Sequence, residues 1–356
     1  MLYNNLYTSK VEKNNMNKTF LIFSLSIASL ISAESEEPLK SPEEIQQEIN
    51  QAEMDFRTAE AMFNPWYTGP LIASSASCVP PGKINLQPYI YLTTNYAQFN
   101  DHRKSINTPN TFIMSPLLVF QTGITNWMDF TIVPQGFFRW ETGKFGDGFA
   151  DLPIQLGFAL LKETPYIPKM RLVLGTLFPT GKYQHLNASK LGLDATGQGA
   201  YQTILGLNLS KVFWWFKLHP IATRLATNYI IPDNTVSVKS FNAFGGGYDT
   251  KGDIKIGNTL TLDLGLEISL TQKWVFATDF VYTTSNKTTF SGTPGFLDSG
   301  LPASNGSPSS DQFSLAPAIE YNVNENGGFI GGVWFTVTGR NSANFVSVLL
   351  SYTVLF

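Results

Sequence analysis

The sequence predicts an all-β protein, a transmembrane antiparallel β-barrel of about twelve strands preceded by a short helix. Three observations predict it. Apolar and polar residues alternate over long stretches, as where Leu260, Leu262, Leu264, Leu266, Ile268 and Leu270 interleave with Thr261, Asp263, Gly265, Glu267 and Ser269. The connections between such stretches alternate between short and long. Charged residues make up 14% of the chain and hydrophobic ones 43%, whereas about 25% charged is usual in a soluble domain.

The N-terminal region directs the chain out of the cytoplasm. Lys18, the apolar residues 20–31 and Ser32-Ala33 before Glu34 have the layout of a secretory signal peptide over residues 1–33, with Met16 as the better start. An apolar run of roughly 12 residues falls short of the about 20 that a membrane helix requires. In residues 34–82, Ser41-Pro42-Glu43-Glu44 is a helix start, with serine as the cap, proline at the first position and glutamate three residues on. Ile45, Ile49, Ala52, Phe56, Ala59 and Phe63 follow at spacings of four and three. They predict a periplasmic amphipathic helix that rests on the barrel base or partly plugs it, with homo-oligomerisation through the helix as the alternative. Residues 64–82, with Pro65, Pro70, Pro80 and Pro81, read as a linker into the first strand.

Residues 83–356 supply the barrel. Their strands run to roughly ten residues, longer than the five or six usual in soluble sheets and matched to a tilted membrane strand. The alternation recurs in Leu152, Ile154, Leu156, Phe158 and Leu160, in Phe313, Leu315, Ile319 and Tyr321, and in Val333, Phe335 and Val337. Short turns are expected near Asn126, at 163–168, near Lys211, near Gln272 and at 324–326. Long loops are expected at 100–110, 142–148, 180–197, 232–255 and 285–310. Trp127, Trp214, Trp215 and Trp274 sit beside short turns, while Trp140, Tyr229 and Tyr282 lie toward the opposite strand ends, as two interfacial girdles would place them. Pro88, Pro116, Pro134, Pro153, Pro220 and Pro317 run against this pattern and must in part mark bulges or strand ends.

In the last strand Phe356, Val354, Tyr352 and Leu350 share one face. A chain that stops on such an aromatic resembles the C-terminal signal of bacterial outer-membrane β-barrels, which the insertion machinery reads. A second resemblance lies mid-chain, where Gly146-Asp147-Gly148-Phe149-Ala150-Asp151-Leu152 opens a strand and Phe178-Pro179-Thr180-Gly181-Lys182 closes the next. With Pro80-Pro81-Gly82-Lys83, these residues resemble a family of bacterial outer-membrane barrels named for a protein of the meta-cleavage phenol-degradation pathway. The resemblance covers residues from about 80 to 356 and implies a transporter in the outer membrane of a Gram-negative bacterium.

Catalytic chemistry finds little support. The three histidines, His102, His185 and His219, form no metal-ligand spacing, and His219 falls at the wrong strand end for an outer-membrane lipase. The glycines at 146, 148 and 245–247 lack the strand–helix context of a nucleotide loop. No enzyme activity and no cofactor are expected. A net charge of −3 without a basic patch argues against nucleic acid. Cys78, the single cysteine, excludes an internal disulfide and reads as a bystander.

The informative charges are those that alternation turns away from lipid: Arg139, Arg171 and Arg224 on one side, Asp263, Glu267, Asp279 and Glu320 on the other, with Asp129 and Asp151 blurring the division. Twelve tilted strands close at roughly 24 Å across the backbone, leaving a bore of about 10 Å or less. A lumen closed by Arg–carboxylate pairs that only fill space is one outcome of such charges; the expectation is a channel for small solutes through a charged lumen. The alternative is a structural barrel whose long outer loops contact a partner.

Overall fold

The computed structural model describes residues 40–61, 69–216 and 219–356; the expected signal peptide, Phe63 and the first residues of the linker lie outside the described residues. The chain divides into two units, Met1–Ala52 and Glu53–Phe356. Helix α1 (Pro42–Ala61) begins as its sequence dictates. The Glu44 N–H donates to Ser41 Oγ at 3.2 Å and the Ser41 N–H to Glu44 Oε2 at 2.8 Å, a reciprocal cap that satisfies two otherwise orphaned donors.

The strands follow in chain order. The first nine are β1 (Ile84–Phe99), β2 (Ser105–Thr125), β3 (Met128–Ile132), β4 (Gly136–Glu141), β5 (Lys144–Phe149), β6 (Leu152–Leu161), β7 (Lys169–Phe178), β8 (Gln202–Phe216) and β9 (His219–Pro232). Then come β10 (Val236–Lys239), β11 (Lys251–Lys255), β12 (Thr259–Ser269), β13 (Trp274–Ser285), β14 (Thr289–Thr293), β15 (Ser310–Asn324), β16 (Gly327–Arg340) and β17 (Ser342–Leu355).

Fourteen of these form one antiparallel sheet that closes on itself, because β1 pairs with both β2 and β17. Two staves of the wall are each broken in two. The inner half of β2 pairs with β3 and its outer half with β4, and β3 pairs onward with β6 while β4 pairs with β5. The result is a closed barrel of twelve antiparallel staves. Pro134 lies in the first break, where a missing N–H costs no ladder bond, and its carbonyl accepts the Leu118 N–H of β2 at 3.1 Å. The other five strand prolines lie within strands.

Burial is inverted relative to a soluble protein. Leu262 and Leu264 are exposed on the outer face, whereas Asp263 and Glu267 of the same strand are buried. The same holds for the last strand, where Val346, Val348 and Leu350 are exposed and Phe345, Ser347, Leu349 and Ser351 are buried. Tyr352 stacks on Phe329 at 4.4 Å on the outer face, and Phe356 exchanges backbone hydrogen bonds with Ile84 across the closing seam. Trp127, Trp140, Trp274 and Tyr282 are exposed; the side chains of Trp214 and Trp215 lie outside the described residues.

Several connections differ from the sequence reading. Lys211 is not at a turn: β8 runs on through Val212 and Phe213, and Lys211 pairs with Thr223 while its ammonium reaches the Thr164 carbonyl. The expected loop at 100–110 is a tight turn, because the Asn100 side chain accepts the His102 and Lys104 N–H groups and β2 starts at Ser105. Residues 144–148 continue as β5 after a turn at Thr142-Gly143. The loops at 232–255 and 285–310 are long, as expected, and in part regular. They donate β10, β11 and β14 to a separate three-stranded sheet whose Val236, Val238, Ile254 and Ile256 bury a small core with Ala200, Tyr183, Phe244 and Phe290.

Lipid contact on the outer face predicts an energetic signature. Val348→Arg should lower unfolding free energy in lipid vesicles by about 2–4 kcal/mol, whereas Asn326→Arg in a turn should stay within about 0.5 kcal/mol, measured by urea titration.

Candidate functional site

The barrel interior is not empty. Residues 69–82, ahead of β1, contain no charged side chain and run as an irregular strand of chain through the lumen. Pro81 bridges to Gly123 on β2, fixing one end near the rim where β1 begins. Val79 then donates its N–H to Asp129 Oδ2 on β3 at 3.1 Å. Ser77 Oγ receives Lys169 Nζ at 2.9 Å, and the Ser75 carbonyl receives Asn208 Nδ2 of β8 at 3.0 Å. On the far wall, Asp279 of β13 accepts the N–H groups of Ala73 at 3.0 Å and Ile72 at 3.3 Å. Leu71 ends fully buried among Ala277, Ala316, Ala318, Ile330 and Leu349, against the bare Cα of Gly332, where any Cβ would collide with it. The segment therefore crosses the bore from the β2–β3 wall to the β13–β16 wall.

The charges singled out from the sequence fall around this crossing. Arg171 is 5% exposed and pairs with Asp129 at 2.5 Å, not with one of the expected acidic partners. Arg224 Nε lies 3.2 Å from Glu267 Oε2. Asp263 and Asp279 sit diagonally across the β12–β13 ladder, and Glu320 is fully buried opposite Val275. Arg139 stands apart from these six. Its guanidinium bonds the Ala195 carbonyl and lies 4.5 Å above the Phe137 ring, among residues of the 179–201 connection. The expected basic and acidic walls thus resolve into one pair across neighbouring strands, Arg224–Glu267, one pair that spans the intervening β6, Arg171–Asp129, and a carboxylate, Asp279, that holds backbone.

Sequence reasoning did not single out Asp129 as a site residue, although it binds Arg171, Val79 and Gln121 at once. It also took residues 64–82 for a linker. The absence of charge over 14 residues was the available clue, since a solvated linker of that length normally carries some.

The Gly/Asp and Pro-Thr-Gly motifs have a concrete structural meaning. Asp151, at the break between β5 and β6, accepts the N–H groups of Gly181 at 2.9 Å and Gln198 at 2.8 Å, and the Thr180 hydroxyl donates to the Ala150 carbonyl. These bonds tie both ends of the 179–201 connection to one point on the wall. Gly146 lacks a Cβ where the Leu193–Asp194 backbone presses against β5. Within the connection, Asp194 accepts from Lys182 Nζ at 2.6 Å and from the Asn187 N–H at 3.1 Å. Burial alone would push the Asp194 carboxyl up, but these donors together hold it below the usual carboxylate range. Among the described residues no cluster of three or more His, Cys, Asp or Glu is arranged to hold a metal ion.

A cavity of about 370 Å³ remains beside the segment, bounded by residues of β1, β2, β3, β6, β7, β9, β15 and β17 and by the turn before β16. Cys78, part-buried on the same segment, contacts the carbonyls of Trp127 and Gly157 through sulfur.

Two outcomes are expected. Asp129→Ala removes the acceptor of the Val79 N–H, so maleimide labelling of the neighbouring Cys78 should accelerate at least about tenfold; an unchanged rate would show that the segment is held elsewhere. A depressed Asp194 pKa means that the clamp on Asn187 is complete above about pH 4 and is lost as pH falls through the lowered value. Deuterium-exchange protection of the Asn187 amide should accordingly be flat from neutrality to about pH 4 and drop below it.

No protein-family model and no curated protein matches the chain. Among solved structures it is similar to the COG4313 outer membrane channel from Pseudomonas putida F1, with a TM-score of 0.60 at 10% identity, over 80% of this chain and 99% of that one. Weaker likenesses, to the translocator domain of autotransporter NalP from Neisseria meningitidis (TM-score 0.42, 8% identity, 87% of this chain and 97% of that one) and to the toluene transporter TodX of Pseudomonas putida (TM-score 0.33, 11% identity, 80% and 96%), carry no weight for function. At these identities what the chain shares with the first is its fold, the closed outer-membrane β-barrel.

Proposed function

We propose that the protein is an outer-membrane channel of a Gram-negative bacterium, passing small molecules through the barrel lumen. The observation that carries this reading is the hydrophilic interior, where buried arginines, carboxylates and carboxamides surround both an irregular chain segment and a cavity of about 370 Å³. A barrel that served only as an anchor needs no such chemistry, since apolar side chains fill a small lumen at lower cost. Arg139, Arg171, Arg224, Asp263, Glu267, Asp279 and Glu320 line the path and set its field, while residues 69–82 set its width. The similarity of the 146–152 and 178–182 motifs to the phenol-degradation-type transporter family supports the same assignment at the level of family. The fold neighbour's description as a channel also supports it.

The lipid bilayer and the barrel-insertion machinery are the partners this reading requires, the latter through Leu350, Tyr352, Val354 and Phe356. Helix α1 is a candidate oligomerisation element. No catalytic role is assigned. A second reading, surface interaction through the outer loops, draws on the three-stranded sheet of β10, β11 and β14, which gives those loops a fixed shape.

Planar-bilayer recording separates the two. The mature protein should give small discrete currents, and a variant lacking residues 70–79 should conduct several-fold more, because removing an occluding segment widens the narrowest cross-section. Silence from both proteins, each still showing heat-modifiable barrel mobility on gels, would favour the surface role.

A further inference from the structure

We infer that the cavity beside residues 69–82 is a binding site for a small, uncharged, hydroxyl-rich solute, of about the size of a monosaccharide. The inference rests on the channel reading and names the class of solute that such a channel would hold. Its basis is the kind of side chain that the wall turns inward there: Asn85, Gln87 and Tyr89 from β1, Gln121 from β2, Thr131 from β3 and Gln155 from β6. Four are carboxamides, each able to donate two hydrogen bonds and accept two, and two are hydroxyls that do both. A sugar or polyol, whose every hydroxyl is also donor and acceptor, is the complement of such a wall.

Several of these side chains are already oriented. Gln87 Nε2 donates to the Tyr89 hydroxyl at 2.6 Å. Asn85 Nδ2 points to Gln121 Oε1 at 3.5 Å, and Gln121 Nε2 donates to Asp129 Oδ2 at 2.6 Å, so this row of amides is aligned by the Asp129–Arg171 pair. Alignment of this sort reduces the ordering cost of binding.

Charge argues for a neutral ligand. Arg171 and Arg224 both reach the cavity, but each has a carboxylate against it, Asp129 and Glu267 respectively. An anion would have to compete with a buried ion pair, and a cation would meet the guanidinium groups. Glu325, the remaining charged residue of the lining, is exposed on the turn before β16. An apolar solute would leave the hydrogen-bonding capacity that these side chains do not use on one another unmet, at about 1–3 kcal/mol for each group stranded. The volume sits at the small end of ligand pockets, which suits a single sugar ring rather than an oligosaccharide.

The test uses the full mature protein in detergent, with methyl α-D-glucoside and D-gluconate as probes. Saturation-transfer NMR should detect the glucoside and not gluconate, and Gln155→Leu and Gln87→Leu should each weaken glucoside binding about tenfold while leaving heat-modifiable mobility unchanged. Equal signals from both probes, a stronger gluconate signal, or glucoside binding unaffected in both leucine variants would overturn the assignment. Planar-bilayer recording of the same preparation separates this from the channel reading. Current without glucoside binding removes the solute class alone, whereas glucoside binding without any current supports the site and removes the channel.

Discussion

A chain segment without secondary structure can lie inside a closed barrel only if its backbone donors and acceptors find partners on the wall. In residues 69–82 the partners are side chains at fixed points of the ladder: Asp279 for Ile72 and Ala73, Asn208 for Ser75, Asp129 for Val79. A buried amide left unpaired costs about 1–3 kcal/mol, so the acceptors decide where the segment lies. They also explain the arginines. A carboxylate buried to receive an N–H needs its charge balanced, and Arg171 stands 2.5 Å from Asp129 to do so. Wall, segment and ion pair form one arrangement, in which removing a member strands the others.

Much of the architecture could be read from residues alone, because a membrane enforces period-2 patterning more strictly than water does. Leu260 to Leu270 declare their face without ambiguity, and the reciprocal cap of Ser41 and Glu44 forms as written. Positions of turns were less legible. Lys211 looks like a turn residue but is a strand residue whose long side chain reaches the edge, and Asn107 to Asn110 look like loop yet extend β2 beyond the apolar band. The interior was the least legible part. Alternation reveals which charges turn inward but not which meet, since pairing depends on strand register: Arg224 finds Glu267 across one ladder, whereas Arg171 finds Asp129, two strands away. A segment outside the strand pattern, such as 69–82, leaves no periodic trace at all.

The motif that suggested a family proves to be an anchor rather than a binding signature. Asp151 and Thr180 fasten both ends of a connection to a break in the wall, and Gly146 makes room for it. Such residues preserve an architecture whatever passes through it. They bear on fold more directly than on solute, and in the channel proposed above the choice of solute would fall to the amide-rich wall around Gln87, Gln121 and Gln155.

The neutrality of residues 69–82 has a bearing on how the bore responds to its surroundings. An electric field across a bilayer does work on charge, about 2.3 kcal/mol per elementary charge per 100 mV. A stretch with no ionic side chain gives such a field almost nothing to pull on. Membrane potential is therefore a poor lever for this obstruction, and competition for Asp129, Asn208 and Asp279 is a good one.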